Sequence, residues 1–141
     1  MQLALRRNIA ARAFTLVELV AVIVVLAILA GVAIPKYIDY SANAKSSATK
    51  GILGGVRSAI ANFYANSAVS GTPAYPTLVQ LQTSGTVLTE VVPANPYNAS
   101  AVILAVTWTS TNPTSGSSGW NYDATTGRFW ANSSTVGENA Y

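Results

Sequence analysis

Phe14-Thr15-Leu16-Val17-Glu18-Leu19-Val20-Ala21-Val22-Ile23-Val24-Val25-Leu26-Ala27-Ile28-Leu29-Ala30-Gly31-Val32-Ala33-Ile34 carries a single charge, Glu18. At ~1.5 Å per helical residue, its length matches the ~30 Å hydrocarbon core of a bilayer. Val, Ile, Leu and Ala fill nearly all of it, so no polar stripe marks a surface helix. The run predicts a membrane-spanning helix over 14–35. The anomaly is the carboxylate, because an ionised acid at the centre of a bilayer costs on the order of 2.5–3.5 kcal/mol or more. An acid in such a place either snorkels to the interface, takes up a proton, or has a positive partner that gives it a function.

The residues around the run favour a partner. Arg6, Arg7 and Arg12 precede it and Phe14 opens it. The segment Ala13-Phe14-Thr15-Leu16-Val17-Glu18 resembles the processing site of type IV prepilins and of the pseudopilins of type II secretion. That resemblance implies cleavage between Ala13 and Phe14 by a prepilin peptidase on the cytoplasmic side, followed by methylation of the new Phe14 amine. It makes Glu18 the assembly glutamate. It also implies a filament of this chain with itself or related pilins, built by an inner-membrane assembly platform. Residues 1–13 are then a leader, and the globular part is periplasmic before assembly. Two departures stand out. The family favours Gly before the cut, where this chain has Ala13. Many major pilins close a C-terminal loop with a disulfide, and this chain has no cysteine, which leans toward pseudopilins or cysteine-free pilins. An ordinary signal-peptidase site would fall near Ala27-Ile28-Leu29-Ala30-Gly31, a reading that leaves Glu18 unexplained.

Composition narrows the function further. The net charge of +3 depends on the three leader arginines. Without them Lys36, Lys45, Lys50, Arg57 and Arg128 balance Glu18, Asp39, Glu90, Asp123 and Glu138, so basicity gives no reason to expect nucleic-acid binding. The chain has neither histidine nor cysteine. No catalytic residue, cofactor or metal is expected. Asp123 and Glu138 are the acids nearest to a calcium-loop arrangement, but Ca²⁺ takes six to eight oxygens and the loop pattern does not supply them. Asp123 reads more simply as a turn residue.

Pro35 removes a backbone donor and crowds the carbonyl of Gly31, predicting a kink rather than a helix end. Apolar spacing resumes beyond it at Ala48, Ile52, Val56, Ala59, Ile60, Phe63 and Tyr64, an amphipathic helix over about 36–68. Lys45, Thr49, Lys50 and Arg57 fall off that face. Ser70-Gly71-Thr72-Pro73 ends the helix, and Thr77 is expected to cap a short helical segment, Leu78 to Leu81. Ala101–Thr109 alternates as a strand apolar on both faces. Trp120–Asp123 and Arg128–Ala131 read as strands joined by a tight turn at Thr125-Thr126-Gly127. The expected architecture is α+β, pilin-like. A long N-terminal helix packs on a small antiparallel sheet at about 101–132, within a globular part spanning 36–141. The tail 132–141 reads as polar and loose.

Asn98-Ala99-Ser100 and Asn132-Ser133-Ser134 fit the N-glycosylation pattern, which chance also produces in a Ser-rich chain. Trp108, Trp120 and Trp130 are better core candidates than a carbohydrate platform. A pilus, a secretion pseudopilus and a DNA-uptake filament share this design. The contrasting reading is a membrane-anchored periplasmic binding domain that never polymerises.

Overall fold

The computed structural model describes residues 14–141. Helix α1 spans Leu16–Val69, and the chain divides into two compact units inside it, between Tyr40 and Ser41. From Leu19 to Ile34, α1 is apolar on all sides, and up to Tyr40 its large apolar side chains are exposed. Helical structure runs without interruption through Pro35, so the helix does not end there.

From Ser41 onward, α1 buries Thr49, Leu53, Val56 and Ile60. Spacings of four, three and four put these residues on one face. Thr49 and Leu53 correct the sequence reading, which set Thr49 off the face and passed over Leu53. Ala48 is exposed instead. The helix closes with Gly71 at φ +85°. The Gly71 N–H bonds Ala68 O and the Thr72 N–H bonds Ser67 O, both at 3.1 Å, which satisfies the last carbonyls. Helix α2, Leu78–Gln82, starts with a capping box in which Thr77 and Gln80 each bond the other's backbone N–H.

The sheet has three strands, β1 (Ile103–Ala105), β2 (Trp120–Asp123) and β3 (Arg128–Ala131), in the order β1-β2-β3. The β2–β3 hairpin is antiparallel, as expected, with Trp120 opposite Ala131 and Asp123 opposite Arg128. β1 pairs with β2 in parallel, which corrects the all-antiparallel expectation. Parallel neighbours need a crossover of about a dozen residues or more, and residues 106–119 supply it. β1 is also shorter than the expected strand and is not apolar-buried on both faces. Ile103 is buried, while Leu104 and Ala105 are exposed.

Trp120, Tyr122, Phe129 and Ala131 form the sheet's inner face and pack with Leu53, Val56, Ile60, Leu81, Val92 and Ile103. Trp120 and Phe129 stack at 5.5 Å. The hairpin turn depends on Gly127, at φ +69°, where a side chain would run into the Tyr75 ring. The outer face is covered as well. Pro113 O accepts from Asn121 Nδ2 at 2.9 Å and Trp130 Nε1 at 2.8 Å, and Asn132 Nδ2 binds Ser115 O and Ser118 O. The Ser- and Gly-rich segment 112–118 thus forms a second layer over β2 and β3.

The tail is not loose. Asn132 and Glu138 are buried, a 3-10 helix spans Glu138–Ala140, and Arg57 Nη2 donates to Tyr141 O. Glu138 orders this segment by accepting the Thr135 N–H (3.0 Å) and the Val136 N–H (2.8 Å).

Candidate functional site

The candidate site opens α1. Thr15 is its N-cap, since its carbonyl accepts the Leu19 N–H at 3.2 Å. The Glu18 N–H donates to Thr15 Oγ1 at 3.2 Å, and Glu18 Oε2 accepts both the Thr15 N–H and the Thr15 hydroxyl at 3.0 Å. This is a reciprocal capping box that satisfies donors a helix start otherwise leaves bare. It also sets a carboxylate in the first turn, where the helix dipole favours negative charge. Sequence reasoning missed this role, although Thr-x-x-Glu ahead of an apolar run is its signature. One carboxylate oxygen, Oε1, makes no hydrogen bond among the described residues.

Phe14 lies one residue before the cap and is 82% exposed. It stands four positions before Glu18, about one helical turn away. Ala13, the other half of the expected cleavage site, lies outside the described residues. The most hydrophobic window of α1 has mean hydropathy 3.0 and none of it is buried within the chain. Length and composition suffice for one membrane crossing. Gly31 and Pro35 lie in the same helix, four residues apart, and the Gly31 carbonyl is the one that loses its donor to proline.

The remaining polar candidates serve the fold. Asp123 Oδ1 accepts the Thr125 N–H (2.8 Å) and hydroxyl (2.6 Å), while Oδ2 accepts the Trp108 N–H and the Thr126 hydroxyl, both at 2.9 Å. Burial alone would raise its pKa, yet these bonds hold it down at about 2. Burial acts the same way on Glu138, and its backbone partners again win, holding the carboxyl below its ordinary value. Among the described residues, no three His, Cys, Asp or Glu side chains gather as a metal would require. Asn98 Nδ2 donates to Ser118 O, and Asn132 Nδ2 is held by the 112–118 layer, so a glycan on either would displace packed structure. Trp120 and Trp130 are core, with indoles bonded to Pro93 O and Pro113 O. Trp108 is partly exposed under the Arg128 guanidinium, 3.7 Å from the ring centre.

No family model matches the chain, and no solved structure matches it. Curated proteins do. A fimbrial protein, EcpC, of Eikenella corrodens is 38% identical over 58 residues, covering 41% of this chain and 38% of that protein. The type IV major pilin protein PilE of Neisseria gonorrhoeae is 40% identical over 62 residues, covering 44% of this chain and 37% of the pilin. A fimbrial protein of Neisseria meningitidis serogroup B is 42% identical over 59 residues, covering 42% and 35%. The match thus spans little more than a third of each relative's length. Over about two fifths of its own length, this chain is similar in sequence to type IV pilins and fimbrial proteins.

Proposed function

We propose that the chain is a structural subunit of a type IV pilus-like filament, anchored before assembly by one pass of α1 through the inner membrane. The observation that carries this reading is the first part of α1. It exposes a bilayer's length of apolar side chains, which a soluble subunit has no reason to keep, and it carries a carboxylate in its first turn. Similarity to major pilins favours a pilus over a secretion pseudopilus or a DNA-uptake filament.

The steps are those that the resemblance of the helix start to prepilins implies. The leader arginines hold the N-terminus in the cytoplasm by the positive-inside rule. A prepilin peptidase cuts between Ala13 and Phe14, and the new amine is methylated. The assembly platform then transfers the helix from lipid to a bundle of like helices. There the amine of one subunit and Glu18 of its neighbour neutralise each other, which fixes the axial step. Pro35 lets α1 loosen around Gly31 as subunits pack.

Mass spectrometry of protein extracted from membranes of cells with an active peptidase tests the reading. A mature chain beginning at methylated Phe14 is expected. An intact chain starting at Met1 would instead favour the anchored, non-polymerising domain.

A further inference from the structure

The carboxylates of residues 41–141 divide unequally. Asp123 and Glu138 are 4% and 0% exposed, and each is held by hydrogen bonds from its own turn. Glu90 is the remaining acid of this unit, and it is exposed, next to an exposed Val91. Both lie on the rim of an apolar groove of about 250 Å³ that Ile52 and Gly55 of α1 also line. A second groove, of about 380 Å³, is lined by Arg57 and Arg128 and by no acidic side chain. Arg128 is exposed and stacked on Trp108, while Arg57 is held by two backbone oxygens, its Nε donating to Phe129 O at 3.0 Å and its Nη2 to Tyr141 O, which leaves Arg128 the more available cation of the groove. Among the described residues, neither arginine pairs with an acidic side chain.

The two grooves flank α1 on opposite sides. At about 100° per residue, Ile52 and Gly55 fall to one side of the buried stripe and Arg57 to the other. A closed twofold pair presents the same patch from both copies, whereas two different complementary patches join head to tail, giving a ring where the rotation closes and an open filament where it does not. We infer that the Glu90 rim of one copy docks in the Arg57–Arg128 groove of a second, linking the 41–141 units along an open filament. The inference rests on the filament reading and adds a contact independent of the apolar helix. Charge complementarity of this kind sets register and rejects wrong partners more than it adds affinity.

Charge exchange tests it in cells that assemble the full chain. Glu90→Arg and Arg128→Glu should each lower the sheared-filament yield about tenfold or more, since like charges facing each other cost several kcal/mol. The double exchange should recover most of the yield. Membrane-extracted subunit, compared by thermal melting, separates loss of docking from loss of folding, and Arg128→Lys should keep the yield. The chain has no cysteine, so Glu90→Cys with Arg128→Cys provides the only thiols. Oxidising those filaments with copper phenanthroline should give a ladder of dimers, trimers and higher multiples. Filaments from the unaltered chain together with no recovery in the exchange, or with cross-linking that stops at dimers, would overturn the contact alone. Recovery by reversing Asp39 instead of Glu90 would do the same. Absence of filaments from the unaltered chain would overturn both this contact and the filament reading.

Discussion

Residues 14–40 and 41–141 solve opposite problems. The first exposes nearly every large apolar side chain it has, from Phe14 through Tyr40. The second buries Trp120, Trp130, Tyr122 and Phe129 almost completely and covers both faces of its hairpin. In the second unit the chain itself is the environment that explains the residues. In the first, the chain's own packing covers almost nothing, and the proposed function supplies the environment as lipid and neighbouring helices. The same substitution should therefore register in different experiments on the two sides of Tyr40.

Trp120→Ala should produce the largest effect. It empties a side chain that is 0% exposed and stacked on Phe129, at a cost of about 3–5 kcal/mol. The near-UV circular dichroism melt of detergent-solubilised protein should fall steeply or vanish. Leu26→Ala is the matched control. Leu26 is 57% exposed, so the same melt should move by no more than about 0.5 kcal/mol. A large loss from Leu26→Ala would break the comparison, because it would place α1's first part inside the cooperative fold.

Asp123→Asn should come between the two. The folded carboxyl sits at about 2, against ~3.9 in an unfolded chain. A depressed folded pKa contributes its full stability above the unfolded value and loses it as pH falls through the folded one. Asp123 should thus contribute about 2–3 kcal/mol at neutral pH, fading from about pH 4 to about pH 2. Melts across that range should converge for the two proteins at the acid end. A constant gap would mean that shape, and not charge, holds the turn.

Legibility in the sequence followed range. The helical nature of the apolar run, the Gly71 helix stop, the Thr77 cap and the Trp120–Ala131 hairpin are local signals, and the structure agrees with the sequence at each. The parallel direction of β1 was not legible, because it depends on where 106–119 carries the chain and not on any residue of Ile103–Ala105. Nor was the 112–118 cover, whose contribution comes largely from backbone carbonyls such as Pro113 O and is invisible in a string of Ser and Gly. The tail offered a missed clue. Thr135-Val136-Gly137-Glu138 has the same Thr-x-x-Glu/Gln spacing as Thr15–Glu18 and Thr77–Gln80, and in all three the acid or amide side chain folds back on the threonine's backbone N–H. At the candidate site the sequence singled out Glu18 as anomalous for lipid but missed its bond to Thr15. Sequence reasoning weighed the carboxylate against the membrane and not against its own helix start.

That missed bond defines the decisive measurement. Glu18 has a local task, capping α1, and a proposed external one, neutralising a neighbour's amine. Gln performs the first equally well, as Gln80 does for α2 in this same chain. Glu18→Gln keeps the cap and removes the charge, whereas Thr15→Ala weakens the cap by about 1 kcal/mol and keeps the charge. Sheared-filament yield, scored against processed subunit in the membrane, separates the two tasks. The account predicts normal processing in both variants, near-complete loss of filaments from Glu18→Gln, and substantial filaments from Thr15→Ala. Normal filaments from Glu18→Gln would contradict it, leaving Glu18 a helix cap and nothing more.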